Sequence, residues 1–307
     1  MSELITGVSG RRFATALGMI AVLFWGMTVA FSRSLTEQLG VLTAACFIYI
    51  VGGGLGSLYV LCHPKQRRKL ASVPLRYWVG CGTFFALNII CFHIAVGLAS
   101  GEQRVVEIGL INYLWTSLTL ILSIPILKKR ARLGLAPGIA IACGGIVISA
   151  LQWGPLSWEV FLENVRGNRL PYLLAFIDAL SWALYSNLSG RWGAQAEGWP
   201  VPIFLLVTGV IFLGFRLTVS ETSMWSVRVA TELAAIVLFP TIFAYIFWDV
   251  AMRKGNAVLV VSSSYLTPVL STLISCAYLR VSPKPMLWLA CAMVVGGAII
   301  CRRSVVD

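Results

Sequence analysis

The sequence predicts an all-α integral membrane protein, with ten transmembrane helices in two five-helix repeats of inverted topology. Three observations predict it. Of 307 residues, 58% are hydrophobic and 12% charged, where an ordinary soluble domain carries about 45–50% apolar and about 25% charged residues. The apolar residues fall into ten runs, each near the roughly 20 residues that a helix needs to cross about 30 Å of hydrocarbon. Positions of the first half recur in the second at a nearly constant offset. The runs do not alternate in polarity over about ten residues, as the strands of a membrane β-barrel would.

The first run, 13–32, follows Arg11 and Arg12 and carries Trp25, Thr28 and Ser32 on one helical face. A basic pair before an apolar run can also open a cleavable signal peptide, with Thr28-Val29-Ala30 as its site, but the repeat needs this run as a helix. The second run, 40–62, places Gly52 and Gly56 at GxxxG spacing, which allows close helix approach. Its "GGGLGS" has no following Lys, so it is not a phosphate loop. The third, 77–99, aligns Phe84, Asn88, Cys91 and Phe92, and holds His93, read as a hydrogen-bonded interior residue. The fourth, 105–127, contains "EIGLINYLWTSLT", whose Asn112, Trp115, Thr116 and Thr119 share a face next to Tyr113. Glu107, close to the start of that run with Arg104 three residues before it, reads as structural. The fifth, 134–151, is Gly-rich and nearly featureless, an outer support.

The connection 152–170 is too short to fold as a domain and reads as a periplasmic loop. The sixth run, 171–190, has the most polar stripe: Asp178, Ser181, Trp182, Tyr185 and Ser189. Asp178 lies about seven residues, or roughly 10 Å, inside the run. A charged Asp at a helix centre costs about 2.5–3.5 kcal/mol on insertion scales, so it must face water, a partner or a substrate cation. The seventh run is 201–219. The eighth, 229–252, aligns Thr241, Tyr245, Trp248 and Asp249, with Arg253 one turn on to neutralise Asp249. The ninth, 256–279, offers Ser264, Thr267, Pro268 and Ser271 on one face, and the tenth is 285–301. Pro125, Pro240 and Pro268 are hinge candidates, since each removes a backbone donor within a run.

Tyr113-Leu114 recurs as Tyr265-Leu266, 152 positions later, and Gly144-Gly145 recurs as Gly296-Gly297 at the same offset. Trp25 matches Trp182 at an offset of 157. Residues 1–151 thus form a first five-helix repeat, 152–170 the connection, and 171–307 a second repeat. Five is odd, so the two repeats lie in the membrane with opposite orientations. An internal duplication kept only for packing is the alternative; repeated polar and aromatic positions, where lipid-facing packing would favour Leu and Val, speak against it.

The net charge of +12 reflects topology more than a nucleic-acid partner. With the N-terminus inside, 16 of the 24 Lys and Arg fall on one side, which places both termini in the cytoplasm and requires an even number of spans. All eight Cys lie in or at the ends of runs without CxxC or nearby His at ligand spacing, and read as small buried hydrophobes; no metal, cofactor or catalytic group is expected. Paired carboxylates, HExxH and GxSG are all missing, which argues against a membrane-embedded enzyme. Six runs with one polar, aromatic-rich face instead suggest a central cavity in which these groups are satisfied by one another, by water and by a ligand. The other reading is that hydroxyls bond their own backbone carbonyls and Trp residues form interfacial belts.

"EIGLINYLWTSLT", "LAFIDALSWALY" (174–185), "FAYIFWDV" (243–250) and "SYLTPVLS" (264–271) resemble the drug/metabolite transporter superfamily, of EamA type, and within it the YddG-type aromatic amino-acid exporters. The resemblance covers nearly the whole chain. It implies a monomeric secondary transporter of the bacterial inner membrane, in contact with lipid and with no nucleic-acid partner, exporting aromatic and other neutral amino acids by alternating access. The same fold carrying another small metabolite or a drug is the alternative. The chain departs from the family pattern at Asn88, where Glu is common, and at Asp178, where a small residue is common. The residues expected to touch substrate are Trp25, Asn88, Asn112, Tyr113, Trp115, Asp178, Trp182, Tyr185, Tyr245, Trp248 and Ser264: a carboxylate for the ammonium, amides and hydroxyls for the carboxylate, and rings for the side chain.

Overall fold

A computed structural model describes residues 7–26, 28–99, 101–151, 157–279 and 282–306. Residues 152–156 of the expected connection lie outside the described residues, as do the side chains of Val29, Ala30 and Ser32.

Helix occupies all ten apolar runs. The first holds α1 (Gly7–Gly26) and α2 (Thr28–Leu39), the second α3 (Val41–Cys62), and a short α4 (Pro64–Leu70) follows in the basic connection. The third run opens with a π-helical turn, Tyr77–Cys81, and continues as α5 (Gly82–Gly97). The fourth is split into α6 (Glu102–Asn112) and α7 (Leu114–Leu127), the fifth is α8 (Leu135–Ala150), and α9 (Trp158–Gly167) forms in the connection. Then come α10 (Leu170–Gly193) and α11 (Val201–Thr218). The eighth run is α12 (Val227–Ile236), a π-helical turn Val237–Phe243, and α13 (Ala244–Lys254). The ninth is α14 (Ala257–Ser263) and α15 (Leu266–Leu279), and the tenth α16 (Pro285–Ser304). Two-residue strands β1 (Arg130–Ala131) and β2 (Val305–Val306) pair antiparallel.

Among the described residues six helices are long and apolar enough to cross a membrane: 41–62, 77–97, 103–127, 201–218, 227–254 and 285–304. A seventh is counted if α14 and α15, bent by 41°, form one broken span. The remaining expected spans fall short for visible reasons. The fifth run yields only 16 helical residues, α1 opens with Arg11 and Arg12, and α10 has the length but includes Asp178, Ser181, Asn187 and Arg191.

Two of the three prolines explain interruptions. Proline lacks the N–H that would bond the carbonyl four residues earlier. For Pro240 that carbonyl belongs to Ile236, where α12 gives way to the π-helical turn. For Pro268 it belongs to Ser264, where α14 and α15 separate, and the Ser264 carbonyl instead accepts the Thr267 N–H at 3.0 Å. Pro125 leaves α7 unbroken.

The chain forms two compact units. Unit 1 comprises 1–86 and 188–257, unit 2 comprises 87–187 and 258–307, so each draws on both halves of the sequence. In unit 1, α3 packs on α11 and α1 on α13; in unit 2, α8 packs on α16. Of the expected pair, Gly56 packs on α11, where a Cβ would stand 2.9 Å from Pro202 Cβ, but the closest approach of α3 is at Gly53 rather than at Gly52. A Cβ on Gly53 would stand 2.2 Å from Leu206 N, whereas at Gly52 the nearest atom is a Thr241 methyl at 3.3 Å.

These contacts are reciprocal. Gly53 meets Leu205 and Leu206, and Gly209 meets Tyr49 and Ile50; each residue of the first contact has its counterpart in the second 156 positions away. In unit 2, Gly145 meets Ala290 and Val294, while Gly297 meets Gly138 and Ala142. Here the offset is 152. A surface that meets its own copy about a local two-fold axis has this property, because residue i then touches j while the counterpart of j touches that of i.

The start of α3 is tied to the segment after α11 within unit 1. Glu221 accepts from Leu42 N (3.0 Å), Thr43 N (2.8 Å) and Thr43 Oγ1 (2.7 Å), with Arg216 Nε 3.6 Å away. A carboxylate there satisfies otherwise unpaired N–H groups and suits the positive end of the helix dipole. Gly40, at φ 87°, makes room: a Cβ on it would lie 2.5 Å from Glu221 Cδ. Burial pushes the Glu221 carboxyl up, but these hydrogen bonds and Arg216 outweigh it and hold the group below the ordinary carboxylate range.

Gly53→Ala is expected to destabilise the protein by about 1–3 kcal/mol through overpacking, read as a lower melting temperature in detergent. Gly54→Ala, whose Cβ meets nothing within 4 Å, should leave it unchanged or slightly raised. Because the folded-state pKa of Glu221 is depressed, its contribution is complete above the unfolded value of about 4.3. It is lost as pH falls through the folded value, so Glu221→Gln should flatten the acid limb of a stability-versus-pH curve.

Candidate functional site

In lipid every polar side chain needs a partner, so the hydrogen bonds separate structural groups from functional ones. Of the expected lining hydroxyls, Thr119 and Ser264 bond backbone close to them in sequence, and so does Thr272 beside them. Thr119 Oγ1 donates to the Trp115 carbonyl (2.6 Å), Ser264 Oγ to that of Val261 (2.6 Å) and Thr272 Oγ1 to that of Pro268 (2.9 Å). His93 Nδ1 lies 2.8 Å from the Ile89 carbonyl of its own helix.

Asp178 does not follow this pattern. Helix α10 buries it completely, and its two carboxylate oxygens are held by two other helices of unit 2. Asn88 Nδ2 on α5 donates to Oδ1, and Asn112 Nδ2 at the end of α6 donates to Oδ2 at 2.6 Å. Among the described residues no Lys or Arg pairs with it. Two amide donors leave part of the carboxylate's capacity of about four acceptor sites unused.

The three polar residues come from separate runs, 24 and 66 positions apart. Asn112 is the last residue of α6, and Tyr113 stands in the gap before α7.

Rings accompany the carboxylate in the same unit. One turn after Asp178 on α10, Trp182 lies edge-on to Trp115 of α7, centroids 6.3 Å apart, and 5.0 Å from Tyr185. All three are at least nine-tenths buried. Nearby on α10, Asn187 Nδ2 donates to the Thr119 carbonyl at 3.0 Å; this link was not foreseen.

The other expected aromatic residues assemble in unit 1. Trp25 of α1 lies 5.5 Å from Tyr245 and 5.2 Å from Trp248 of α13, and its indole N–H donates to the Pro240 carbonyl at 3.1 Å. Phe85 stands 5.1 Å from Tyr245; the expected stripe named Phe84, one residue away.

Ser264 and Tyr113 lie in corresponding breaks in the ninth and fourth runs. Beside the break after α14, Ser262 Oγ and Thr267 Oγ1 are buried without a hydrogen-bond partner. Tyr265, in the gap itself, pairs its hydroxyl with Ser117 of α7 at 2.8 Å.

Two other carboxylates singled out in the sequence, Glu107 and Asp249, join several helices. Glu107 accepts from Tyr172 (2.5 Å), Asn164 (3.2 Å) and Gln103 (3.2 Å) in unit 2. Asp249 in unit 1 pairs with Arg253 at 2.7 Å, as the i, i+4 spacing predicts. It also takes hydrogen bonds from Tyr77 and from Ser189 (2.7 Å), while Arg253 donates to the Ala196 and Gly198 carbonyls. Neither Tyr77 nor Tyr172 is signalled by its sequence context, because each lies at the start of its run, where interfacial Tyr is common.

The chain resembles known proteins along almost all of its length. It is 30% identical over 291 residues to the aromatic amino acid exporter YddG of Salmonella typhimurium, covering 94% of this chain and 96% of that one. It is 29% identical over 292 residues to the YddG exporter of Escherichia coli K12, covering 95% and 97%. The YddG exporter of Ancylobacter novellus is 30% identical over 295 residues, covering 94% and 97%. A solved crystal structure superposes with a TM-score of 0.79 at 25% identity, over 95% of this chain and 98% of the other. Residues 169–303 match the EamA-like transporter family. Together with identity of this level over nine-tenths of the sequence, that match means that the chain belongs to the EamA-like transporter family.

Proposed function

We propose that this protein is a secondary transporter that exports aromatic and other neutral amino acids across the bacterial inner membrane. It works by alternating access as a monomer, with ten spans in two inverted repeats, 1–151 and 171–307, and with both termini in the cytoplasm. The names of the relatives support the cargo. The reciprocal glycine contacts at offsets of 152 and 156 support the repeat.

The observation that carries the reading is the Asp178 cluster. A zwitterionic amino acid needs an anion for its ammonium, donors for its carboxylate and an apolar wall for its side chain. Asp178 supplies the anion, the Asn88 and Asn112 amides can turn from it to the substrate, and Trp115, Trp182 and Tyr185 supply the wall. Ser262 and Thr267 are buried hydroxyls with hydrogen-bonding capacity still to use. Buried carboxylates are costly unless paired, so an arriving ammonium relieves a cost already present in the empty protein.

A second reading has its own observation. Both Asp178 oxygens already hold an amide, which suits a cross-brace between α5, α6 and α10 without contact to cargo.

Uptake of radiolabelled phenylalanine and tryptophan into proteoliposomes tests both, with and without an imposed pH gradient. Asp178→Asn should lower uptake by about 10- to 100-fold, corresponding to a charge-assisted hydrogen bond of about 1.5–3 kcal/mol. Its melting temperature should stay near that of the wild type. Equal loss of stability and uptake favours the brace, and unchanged uptake removes Asp178 from the site. If the wild type carries neither amino acid, the cargo is another small metabolite or a drug. Trp182→Ala should raise KM for tryptophan more than for alanine.

A further inference from the structure

Two basic runs far apart in sequence meet at one place in unit 2. Lys128, Lys129, Arg130 and Arg132 follow α7, and Arg302 and Arg303 end α16. The strands β1 and β2 join them, with Arg130 opposite Val306 and Ala131 opposite Val305, and Arg132 N–H donates to the Ser304 carbonyl at 2.8 Å. Lys128, at φ 56°, turns the chain immediately after α7.

Both flanking helices end spans that are apolar enough to cross a membrane, 103–127 and 285–304. The ribbon therefore begins where hydrocarbon gives way to headgroups. Lys128, Arg130, Arg132, Arg302 and Arg303 are exposed, and no Asp or Glu occurs among the described residues of 128–134 and 301–306. Next to them Leu133 is 99% exposed, an apolar side chain with no protein surface over it.

Orientation in a membrane requires basic residues in the connections, but it does not require that two connections be hydrogen-bonded together. Pairing them gathers the basic residues of two connections at one place, which is unfavourable without a counter-charge. We propose that this ribbon binds the headgroup of an anionic phospholipid. Its phosphodiester is engaged by Arg130, Arg132, Arg302 and Arg303, and an acyl chain lies beside Leu133. Guanidinium forks match phosphate oxygens in pairs, basic clusters at the ends of spanning helices are favoured sites for anionic lipid, and Leu133 distinguishes a lipid from a free phosphate. The proposal is independent of the transport reading.

Native mass spectrometry of the full-length protein in a non-ionic detergent tests it, with phosphatidylglycerol, phosphatidylcholine and inorganic phosphate as probes. The wild type should bind phosphatidylglycerol at least about tenfold more tightly than phosphatidylcholine, and Arg130→Gln/Arg302→Gln/Arg303→Gln should reduce the preference to about twofold or less. Arg67→Gln/Arg68→Gln/Arg76→Gln, which removes three exposed charges elsewhere, should keep it. Retention in the first variant, equal loss in both, or displacement of the lipid by equimolar inorganic phosphate would each overturn the proposal. Should the first variant fail to fold, Leu133→Gln keeps every charge and should weaken phosphatidylglycerol binding by roughly threefold; unchanged binding overturns the acyl contact and the lipid assignment with it.

Discussion

Hydrocarbon offers no hydrogen bonds, and the rest of the structure depends on that constraint. Backbone groups must be satisfied within the protein, which makes helix the default for every apolar run. The same constraint governs side chains. Thr119, Ser264 and Thr272 close onto the carbonyls of their own helices, and such groups are inexpensive because the helix already provides the acceptor. Asp178, Glu107 and Asp249 cannot do this, since a carboxylate needs donors that a helix interior does not offer. Each therefore reaches across to other helices of its own unit and ties them together.

The three carboxylates differ in what they reach. Asp249 finds a guanidinium, which neutralises it, and Glu107 finds a phenol and two amides in a cluster that fastens α6, α9 and α10. Asp178 finds, among the described residues, the amides of two asparagines. Amides are also the groups most easily turned to another partner, because they donate and accept at the same end. That distinction, rather than burial, which all three share, is what the proposed role of Asp178 rests on.

Much of this was legible in the sequence. The ten helical runs follow from length and apolarity, and Asp178 was conspicuous as a carboxylate well inside one of them. Asp249 and Arg253 were paired by spacing alone. Partners across helices were not legible: nothing local marks Tyr77 as the neighbour of Asp249, or Tyr172 as that of Glu107, because those contacts depend on which faces meet. The breaks were half legible. Pro240 and Pro268 act four residues before their own positions, at the carbonyls they leave without a donor, whereas the break at Tyr113 has no proline to announce it. Of the GxxxG pair of α3, Gly56 does meet α11 at Pro202, but the tightest contact falls at Gly53 rather than Gly52, because the spacing names a helix face and the partner selects the position on it.

The reciprocal glycine contacts also bear on how the chain is made. The small-residue face of α3 has its match on α11, and that of α8 on α16, so each first member is synthesised roughly 150 residues before its partner. At about 5–20 residues per second the wait is on the order of ten to thirty seconds. Throughout it, Gly53 and Gly145 present grooves that no helix yet fills. The nascent first half is therefore a set of inserted helices awaiting docking partners, and neither compact unit can close until translation has passed well into the second half.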